Sequence, residues 1–428
     1  MRRIALAVLA LAGMLSLGSS TVPAASSWHT LATGVGNTVV PSMIVTQAGT
    51  ELVSFETPLA DTISVARAGG APHAVVTGDP IAGQTQLVQL PNGSIQLYYP
   101  NASGIARLTS TNDGVSWTGP IQTMSTDVGG VVGATVGPDG TPYFVQDGTG
   151  FVNVFRGLNG QTKQNVYTQC CGYAASIAVD STGLVSVAFY SNADSAGSFV
   201  VEQLGSNLVP TGGTALHTTA PRDDRVPLVS DSAGFTYLGW APGYPSATGF
   251  WVEPFQGGAE KKSGMHVTAA FTGGDPHMAL SVDPADRLWA AWTGQGRVHV
   301  TRSGTHAAHT GALVSTALQG TVYQLSAVGL PGKVGAVDVI VNTGSSLVEQ
   351  QLEPGLSVRA YRKVKKIGKK TVVTHYVQAL DDRTPVGGAT FRIGGHTYHA
   401  DAKGIAKVRA GHGKASAAGY VGALFRTR

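Results

Sequence analysis

Hydrophobic residues recur along this chain in a repeated unit of two apolar strands joined by a tight turn. Valine, leucine, isoleucine and aromatic residues flank a turn that usually contains glycine, which is a β-hairpin signal. Seven copies can be counted, and successive turns lie 43 to 52 residues apart. The copies occupy residues 41–56, 85–100, 131–146, 175–190, 225–240, 277–292 and 323–340.

Such a hairpin cannot bury both of its faces alone, so it has to pack against neighbouring copies. The period matches one four-stranded blade of a β-propeller, and closure into a ring protects the strand edges. We therefore predict an all-β protein, with a seven-bladed β-propeller at residues 28–355 followed by a small β-sandwich domain at residues 356–428. Residues 28–39 are a candidate outer strand for the last blade. A six-bladed ring and an array of β-sandwiches are the alternatives.

The composition agrees with a large all-β chain that is rich in turns. The 428 residues include 57 glycines, and 43% of them are hydrophobic, which excludes a wholly disordered chain. The overall net charge of +4 hides a division of charge along the chain. Residues 356–428 contain 15 Lys/Arg and 3 Asp/Glu, whereas residues 1–355 contain 14 and 22. The sequence thus predicts an acidic body and a basic tail.

The first 24 residues have the pattern of a signal peptide. Two arginines near the start precede an apolar stretch from Ile4 to Leu17, and a small-residue cleavage site ends at Ala24. The apolar stretch is short for a membrane span. We therefore expect a secreted, extracellular monomer without a membrane span, either free or associated with the cell surface.

Residues 110–117 read STNDGVSW. This segment resembles the Asp-box, S-x-D-x-G-x-T-W, of the sialidase-like (BNR repeat) β-propellers, with Asn112 in place of the usual aspartate. In that family the box is a structural turn between the third and fourth strands of a blade, so the resemblance implies a propeller and no catalytic role for this turn. The family's Arg-Ile-Pro motif is absent from the first blade, which reads VVPSMIV, and its catalytic residues cannot be transferred to this chain.

Residues 356–428 differ in character from the rest of the chain. The phrases TPVGGATFRI, ADAKGIAKV and AGY resemble carboxypeptidase-regulatory-like or Ig-like β-sandwich modules, which implies a spacer or adhesive unit. Lysines and arginines cluster around Gly368, where the sequence predicts a basic turn between two strands. A cationic hairpin tip favours an anionic polymer or cell surface as partner. A solvated edge that resists aggregation is the alternative.

Three loops that lead into the first strands of consecutive blades carry the candidate functional residues. In a propeller these loops open on one face, here called the loop face, and the turns between first and second strands lie on the opposite turn face. Convergent polar groups at the mouth of the axial channel are typical of a ligand site. The predicted ligand-binding residues are Cys170, Cys171, Tyr173, Arg222, Asp223, Asp224, Arg225, Asp275 and His277.

Simpler interpretations of the same residues remain open. Residues 222–225 read RDDR and would also suit a solvated turn with local ion pairs. His277 would also suit a structural role. For the adjacent pair Cys170 and Cys171, a vicinal disulfide is the hypothesis for an exported protein. Two buried thiols and a bridge to another chain are the alternatives.

These features lead to two main hypotheses of function. The first is a secreted protein that recognises a glycan or cell-surface ligand on its loop face, with the basic domain as spacer or anchor. The alternative is a secreted sialidase-like glycoside hydrolase or lyase with Asp224, Asp275 and His277 as catalytic candidates, because glycoside cleavage uses paired carboxyl groups. A scaffold without a small ligand is a third reading. No cofactor, metal ion or nucleic acid is predicted as a partner.

Overall fold

The computed structural model describes residues 27–57, 61–81, 83–124, 131–148, 150–168, 172–191, 198–217, 225–241, 249–261, 265–267, 277–305, 307 and 309–427. The proposed signal peptide lies outside these ranges. Across the described ranges, no helix is long and apolar enough to cross a membrane.

Strands between His29 and Leu352 form seven antiparallel sheets, and each sheet contains one of the predicted hairpins. In chain order these strands are β1 (His29–Thr33), β2 (Ser42–Val45), β3 (Glu51–Thr57), β4 (Thr62–Arg67), β5 (His73–Thr77), β6 (Gln86–Gln89), β7 (Ile95–Asn101), β8 (Gly104–Ser110), β9 (Thr118–Met124), β10 (Val131–Val136), β11 (Pro142–Gly148), β12 (Phe151–Arg156), β13 (Thr162–Tyr167), β14 (Gly172–Val179), β15 (Val185–Ser191), β16 (Ser198–Leu204), β17 (Pro210–His217), β18 (Leu228–Ser230), β19 (Phe235–Trp240), β20 (Phe250–Gln256), β21 (Ala259–Glu260), β22 (Met265–Val267), β23 (Met278–Val282), β24 (Arg287–Gly294), β25 (Arg297–Thr305), β26 (Val314–Ala317), β27 (Gln324–Leu330), β28 (Ala336–Asn342) and β29 (Ser346–Leu352).

The seven sheets are the blades of a closed ring. Blades one to six begin at β2, β6, β10, β14, β18 and β23, and in the fifth blade the outer position is shared by β21 and β22, which both pair with β20. The first strands contact one another in sequence around the axis, and β27 of the last blade contacts β2 of the first. This arrangement confirms the seven-bladed β-propeller and excludes six blades.

The ring is closed by the N-terminal strand. β1 pairs antiparallel with β29, with His29 opposite Glu349 and Thr33 opposite Ser346. The seventh blade is therefore made from both ends of the ring, in the order β27, β28, β29 and β1 from the axis outward. The outer strand predicted within residues 28–39 is confirmed.

The tight turns of the hairpins adopt the geometry that their residues predict. Gly140 has a φ of +77°, in the left-handed region where glycine carries no steric penalty. In the sixth copy Asp286 takes this position with a φ of +56°. Its backbone N–H donates to the Asp283 carbonyl at 2.9 Å, while the Asp283 side chain accepts bonds from the following backbone N–H groups. An aspartate is tolerated here because local hydrogen bonds stabilise the turn.

The hydrophobic core is divided among the seams between neighbouring blades. Alternate residues of a second strand face opposite neighbours, so that Val53 and Phe55 of β3 pack with Ile340 of the seventh blade. Leu52 of the same strand packs with Leu97 of the second blade. Similar clusters join each of the five remaining pairs of adjacent blades. Both faces of each hairpin are therefore buried, as the hydrophobic pattern requires.

The remaining strands form a small β-sandwich of two sheets around one core. The apolar side chains of this core include Val377, Phe391 and Ala415. The strands are β30 (Ser357–Ile367), β31 (Lys370–Asp381), β32 (Thr384–Pro385), β33 (Thr390–Ile393), β34 (His396–His399), β35 (Ile405–Val408), β36 (Gly411–Ser416) and β37 (Ala423–Thr427). β30 and β31 form a long hairpin that extends beyond this core, and residues 362–373 at its end, here called the basic arm, are exposed on both faces.

A buried cation joins the sandwich to the propeller. Arg302 of β25 is 2% exposed, and its guanidinium donates to the Asp381 carboxylate and to the Val334 carbonyl. The same guanidinium lies over the Trp289 ring, 5.3 Å from its centroid. Tyr420 donates to Asp381 at 3.1 Å. Because the Arg302 charge is buried and paired, removing either partner of the pair would destabilise the protein. The contact holds the sandwich against the turn face of the last two blades.

Closure of the ring by β1 can be tested by shortening a buried side chain that belongs to β1. Leu31 is 6% exposed and packs in the seam between the seventh and first blades. We expect Leu31→Ala to lower the free energy of unfolding by about 2–3 kcal/mol, because a buried leucine leaves a cavity. Urea denaturation would measure this. Leu424→Ala, at a site that is 47% exposed, is the control and should change the value little. Equal effects of the two changes would contradict the closure.

Candidate functional site

The first strands of all seven blades line a cavity along the axis of the ring. Its volume is about 260 Å³, and each blade contributes to its wall. Most of the lining residues are apolar, with Met43, Leu87 and Leu280 among them, but polar atoms make up the larger part of the exposed wall. Gln86 and Arg225 supply polar groups at this wall. A concave cavity with convergent polar groups is a candidate ligand site.

Arg225 crosses the loop-face mouth of this cavity. It precedes β18 in the fifth blade, yet its guanidinium donates to Gln84 and Gln86 of the second blade, at 2.6 and 3.2 Å. These two blades are not neighbours in the ring. The side chain therefore joins opposite sides of the channel and forms part of the floor of the mouth.

Two carboxyl groups lie near this guanidinium. Glu56 is the last residue but one of the second strand of the first blade, and Asp147 holds the same position in the second strand of the third. The Asp147 carboxylate accepts the Ala175 backbone N–H at 2.9 Å. Burial raises the pKa of Glu56 to about 8, although backbone hydrogen bonds and the Arg225 charge lower it in part. Burial also raises the pKa of Asp147, and it lowers that of Arg225 to about 10.

Several atoms at the mouth are shielded from solvent and have no hydrogen-bond partner among the described residues. They are Glu56 Oε2, Gln86 Nε2 and Arg225 Nε. The Glu56 and Gln86 side chains are each 4% exposed, so bulk water cannot easily satisfy them. Unsatisfied buried polar groups are unfavourable, and a native structure that retains several of them close together calls for an explanation. A ligand that both donates and accepts hydrogen bonds would satisfy them.

Aromatic rings lie on the loop-face ends of the fourth and fifth blades, beside Arg225 in the ring. Tyr173 of β14 stacks on Tyr190 of β15, with ring centroids 6.5 Å apart. Trp240 and Trp251 stack at 5.9 Å with an angle of 16° between their planes. Tyr173, Trp240 and Trp251 are only partly buried. Such faces suit stacking against sugar rings or other flat apolar surfaces.

The structure describes three of the nine residues that the sequence nominates. Tyr173, Arg225 and His277 lie on the loop face at the starts of three consecutive blades. The Val226 N–H donates to the Ala174 carbonyl at 3.0 Å and joins the first two of these starts. The other six nominated residues lie outside the described ranges, so the complete predicted pocket stays a prediction; they are Cys170, Cys171, Arg222, Asp223, Asp224 and Asp275.

Backbone hydrogen bonds fix His277 at the entry to the sixth blade. Its N–H donates to Thr293 Oγ1 at 3.1 Å, and the Thr293 N–H donates to the His277 carbonyl at 3.0 Å. The histidine is partly buried at the start of β23. These bonds involve the backbone of His277 and fix the entry into β23, so the nomination of its imidazole as a ligand-binding or catalytic group stays a prediction.

The sequence analysis missed four residues near the mouth, which are Glu56, Asp147, Gln84 and Gln86. Each lies near the loop-face end of a strand or just outside a strand. The alternation of side chains along a strand would by itself place these residues between two blades. A glutamate and an aspartate at the ends of predicted second strands were the available signal. Their approach to Arg225 depends on a contact between blades about 140 residues apart in the chain, which no local pattern encodes.

The Asp-box-like segment forms a tight turn far from this mouth, between β8 and β9. The Ser110 hydroxyl accepts the Gly114 N–H at 2.9 Å, and Asn112 Oδ1 accepts the Ser116 N–H at 3.0 Å. Arg67 of the first blade pairs with Asp113 at 3.4 Å. The segment thus has structural contacts within its blade and to the neighbouring blade.

Comparison with solved structures supports the fold. A streptogramin B lyase superposes with a TM-score of 0.50 at 16% identity, over 76% of this chain and 96% of that chain. A selenomethionine-substituted virginiamycin B lyase from Staphylococcus aureus gives a TM-score of 0.50 at 12% identity, over 76% of this chain and 99% of that chain. At these identities the likeness shows a β-propeller and is not specific to the sialidase-like class. No protein-family model matches the chain, and no curated protein matches it by sequence.

The raised pKa of Glu56 leads to a pH-dependent stability that one substitution should remove. The folded protein keeps a proton on Glu56 up to about pH 8, whereas the unfolded chain loses it near the ordinary value of 4.5. Stability from this group is therefore full below about pH 4.5 and falls as the pH rises to 8. When the pH is raised from 5.5 to 8.5, we expect the free energy of unfolding to fall by roughly 3 kcal/mol more in the wild type than in Glu56→Gln. Urea denaturation at both pH values would measure this, with Glu260→Gln at an exposed site as control. Parallel pH profiles for wild type and Glu56→Gln would contradict the assignment.

Proposed function

We propose that this chain is a secreted protein that binds a glycan at the loop-face mouth of its propeller and uses its basic sandwich as a spacer or anchor. In this proposal residues 1–24 are removed on export, and the mature chain is extracellular and monomeric. The Asp-box-like turn and the tail phrases support membership of the sialidase-like propellers and of the carboxypeptidase-regulatory-like or Ig-like modules. Nucleic acid and a membrane span have no place in this function.

The observation that carries the proposal is the group of unpartnered polar atoms around Arg225. Gln86 Nε2 and Arg225 Nε are donors, and Glu56 supplies an acceptor or, when protonated, a further donor. A sugar offers adjacent hydroxyl groups that each donate and accept. The partly buried tyrosine and tryptophan faces beside the mouth add a surface for stacking.

The basic arm supports the second part of the proposal. It contains six lysines and arginines and no acidic residue. At its base Tyr361 stacks on Tyr376, and Lys363 Nζ lies 5.1 Å from the Tyr376 ring centroid. A two-stranded arm with one sign of charge would bind an anionic cell-surface polymer mainly through electrostatic attraction.

Glycoside cleavage is the alternative function, and one observation favours it. A carboxyl group with a pKa of about 8 is protonated at neutral pH, as a general acid must be, and Glu56 meets that condition. A second carboxyl, Asp147, interacts with the same Arg225 guanidinium. Asp224, Asp275 and His277 remain the catalytic candidates from the sequence. Turnover of a bound glycan that Glu56→Gln or Asp224→Asn abolishes would establish the enzyme, whereas retention without turnover would favour binding.

Glycan binding at the mouth can be tested with a pair of variants on one strand. Gln86 and Gln89 are the two ends of β6, one at the loop face and one at the turn face. We expect a glycan identified by array screening of the full mature chain to bind Gln86→Ala at least ten-fold more weakly, because a donor to the ligand is lost. Gln89→Ala is the control and should bind as the wild type does. Equal affinities of all three proteins would contradict a site at the mouth.

Capture by the basic arm can be tested by salt elution from an anionic glycan. We expect the wild type to bind heparin at 50 mM NaCl and to elute as salt screens the charges. Lys365, Lys366 and Lys369 changed together to Gln should lower the elution concentration by about 0.1 M or more. The control changes Lys403, Lys407 and Lys414 to Gln, which removes equal charge from exposed sites elsewhere on the sandwich. Identical elution of the two variants would show that the arm has no special role.

A further inference from the structure

Three carboxylates meet at the seam where the ring closes. Glu51 begins β3 of the first blade, and Asp338 and Glu349 belong to β28 and β29 of the seventh. One oxygen from each lies within 4.8 Å of the others. On the seventh blade Asp338 lies opposite Gln351 and Glu349 opposite Ile340, so both carboxylates project toward the first blade from the same side of the sheet. The cluster lies in the turn-face half of the seam, away from the mouth that contains Arg225.

Two of these carboxylates are buried and incompletely satisfied. Glu51 is 6% exposed and Asp338 is 2% exposed. Asp338 Oδ1 accepts the Val339 N–H at 2.9 Å, but Asp338 Oδ2 and Glu51 Oε1 are shielded from solvent. Among the described residues these two oxygens face no hydrogen-bond donor, unless the carboxyl groups share protons with one another. Three acceptors that face one another supply no donor between them when they are ionised. Buried carboxylates left in this way are strongly unfavourable unless a cation or shared protons compensate.

The basic side chain that forms an ion-pair contact with this cluster in the described part of the chain is too weakly placed to supply that compensation. The imidazole of His29 in the closing strand has its Nδ1 3.9 Å from Glu349 Oε2. Its side chain is 64% exposed, so solvent screens it and it does not reach the two buried carboxylates. No salt bridge in the described part of the chain involves Glu51 or Asp338.

We propose that Glu51, Asp338 and Glu349 bind a hard divalent cation, calcium foremost, that joins the first and seventh blades. The donor set consists only of carboxylate oxygens, which suit calcium, magnesium or manganese and do not suit soft metals. Three carboxylates offer up to six oxygens, which is within the range of calcium coordination, with water available from the exposed side at Glu349. This site is independent of the proposed ligand on the loop face.

The position of the site gives the cation a structural role. Its ligands come from the two blades that close the ring, and apolar side chains on the same faces, Val53, Phe55 and Ile340 among them, pack in the seam between these blades. A cation that binds only when the blades are joined stabilises the closed ring by its binding free energy. Removal of the cation should therefore lower the stability of the closed ring.

Calcium titration of the chelator-treated full chain tests the proposal. The protein is dialysed against EDTA and then against metal-free buffer at pH 7.5, and CaCl₂, MgCl₂, MnCl₂ or ZnCl₂ is added. We expect titration calorimetry to show binding of one calcium ion with a dissociation constant of about 0.1–1 mM. At 10 mM CaCl₂ the thermal unfolding midpoint should rise by about 2–6 °C.

Conservative variants distinguish the site from a general effect of salt. Asp338→Asn and Glu349→Gln should each reduce the calcium-dependent rise to less than a third. Without calcium their midpoints should equal or exceed that of the wild type, because an amide removes repulsion between carboxylates, so loss of folding does not confuse the result. Glu253→Gln, at a partly buried carboxyl in the fifth blade, is the matched control and should keep the full response.

Three outcomes would overturn the proposal. The first is a wild-type midpoint that no cation changes, which would show that the carboxyl groups only share protons. The second is a response to zinc alone, and the third is a calcium response that survives Asp338→Asn. Failure of glycan binding has no bearing on any of these measurements, so the two proposals can fail separately.

Discussion

The fold depends on burying both faces of every hairpin between its neighbours. Each second strand carries apolar side chains on two sides, and the seams receive them alternately, as Leu52 and Val53 of β3 show. The hydrophobic effect therefore acts between blades rather than toward one centre, and no blade is complete without the next. Such a design requires the last seam to close, and β1 completes it by joining the seventh blade. The closing seam is also where the buried carboxylates meet, so closure combines apolar packing with an electrostatic problem.

The architecture could be predicted because its determinants are local and repeated. Gly140 and Asp286 mark turns that any hairpin of this shape would need, and the apolar strands on either side give the period. The polar contacts that define the mouth are not local. Arg225 could be nominated from its loop, but its partners Gln84 and Gln86 come from a blade across the ring. The closure cluster was missed for the same reason, since Glu51 and Asp338 are nearly 290 residues apart in the chain and neither has a motif around it. The sequence analysis predicted no metal for this chain.

The mouth and the closure seam pose the same physical question in different forms. In both places carboxyl groups are held away from solvent with oxygens that nothing in the described chain satisfies, and this is unfavourable for folding. At the mouth a cationic side chain is already present, so the remaining demand is for a neutral partner with donors and acceptors. At the seam the cluster contains only acceptors, so the demand is for positive charge. The different composition of the two clusters is why one suggests a polar organic ligand and the other a cation.

The attachment of the sandwich determines how these sites could work together. Arg302 and Asp381 hold it at the turn face, and a backbone bond at the junction reinforces the contact, since the Val421 N–H donates to the Pro354 carbonyl at 2.9 Å. The loop-face mouth lies at the other end of the axis. The contact between the sandwich and the propeller therefore leaves the mouth uncovered. Because the junction is hydrogen-bonded and buried rather than a flexible linker, the core of the sandwich is held at one place on the turn face, so the two ends of the propeller axis are left with different tasks, attachment of the sandwich at one and an open cavity at the other.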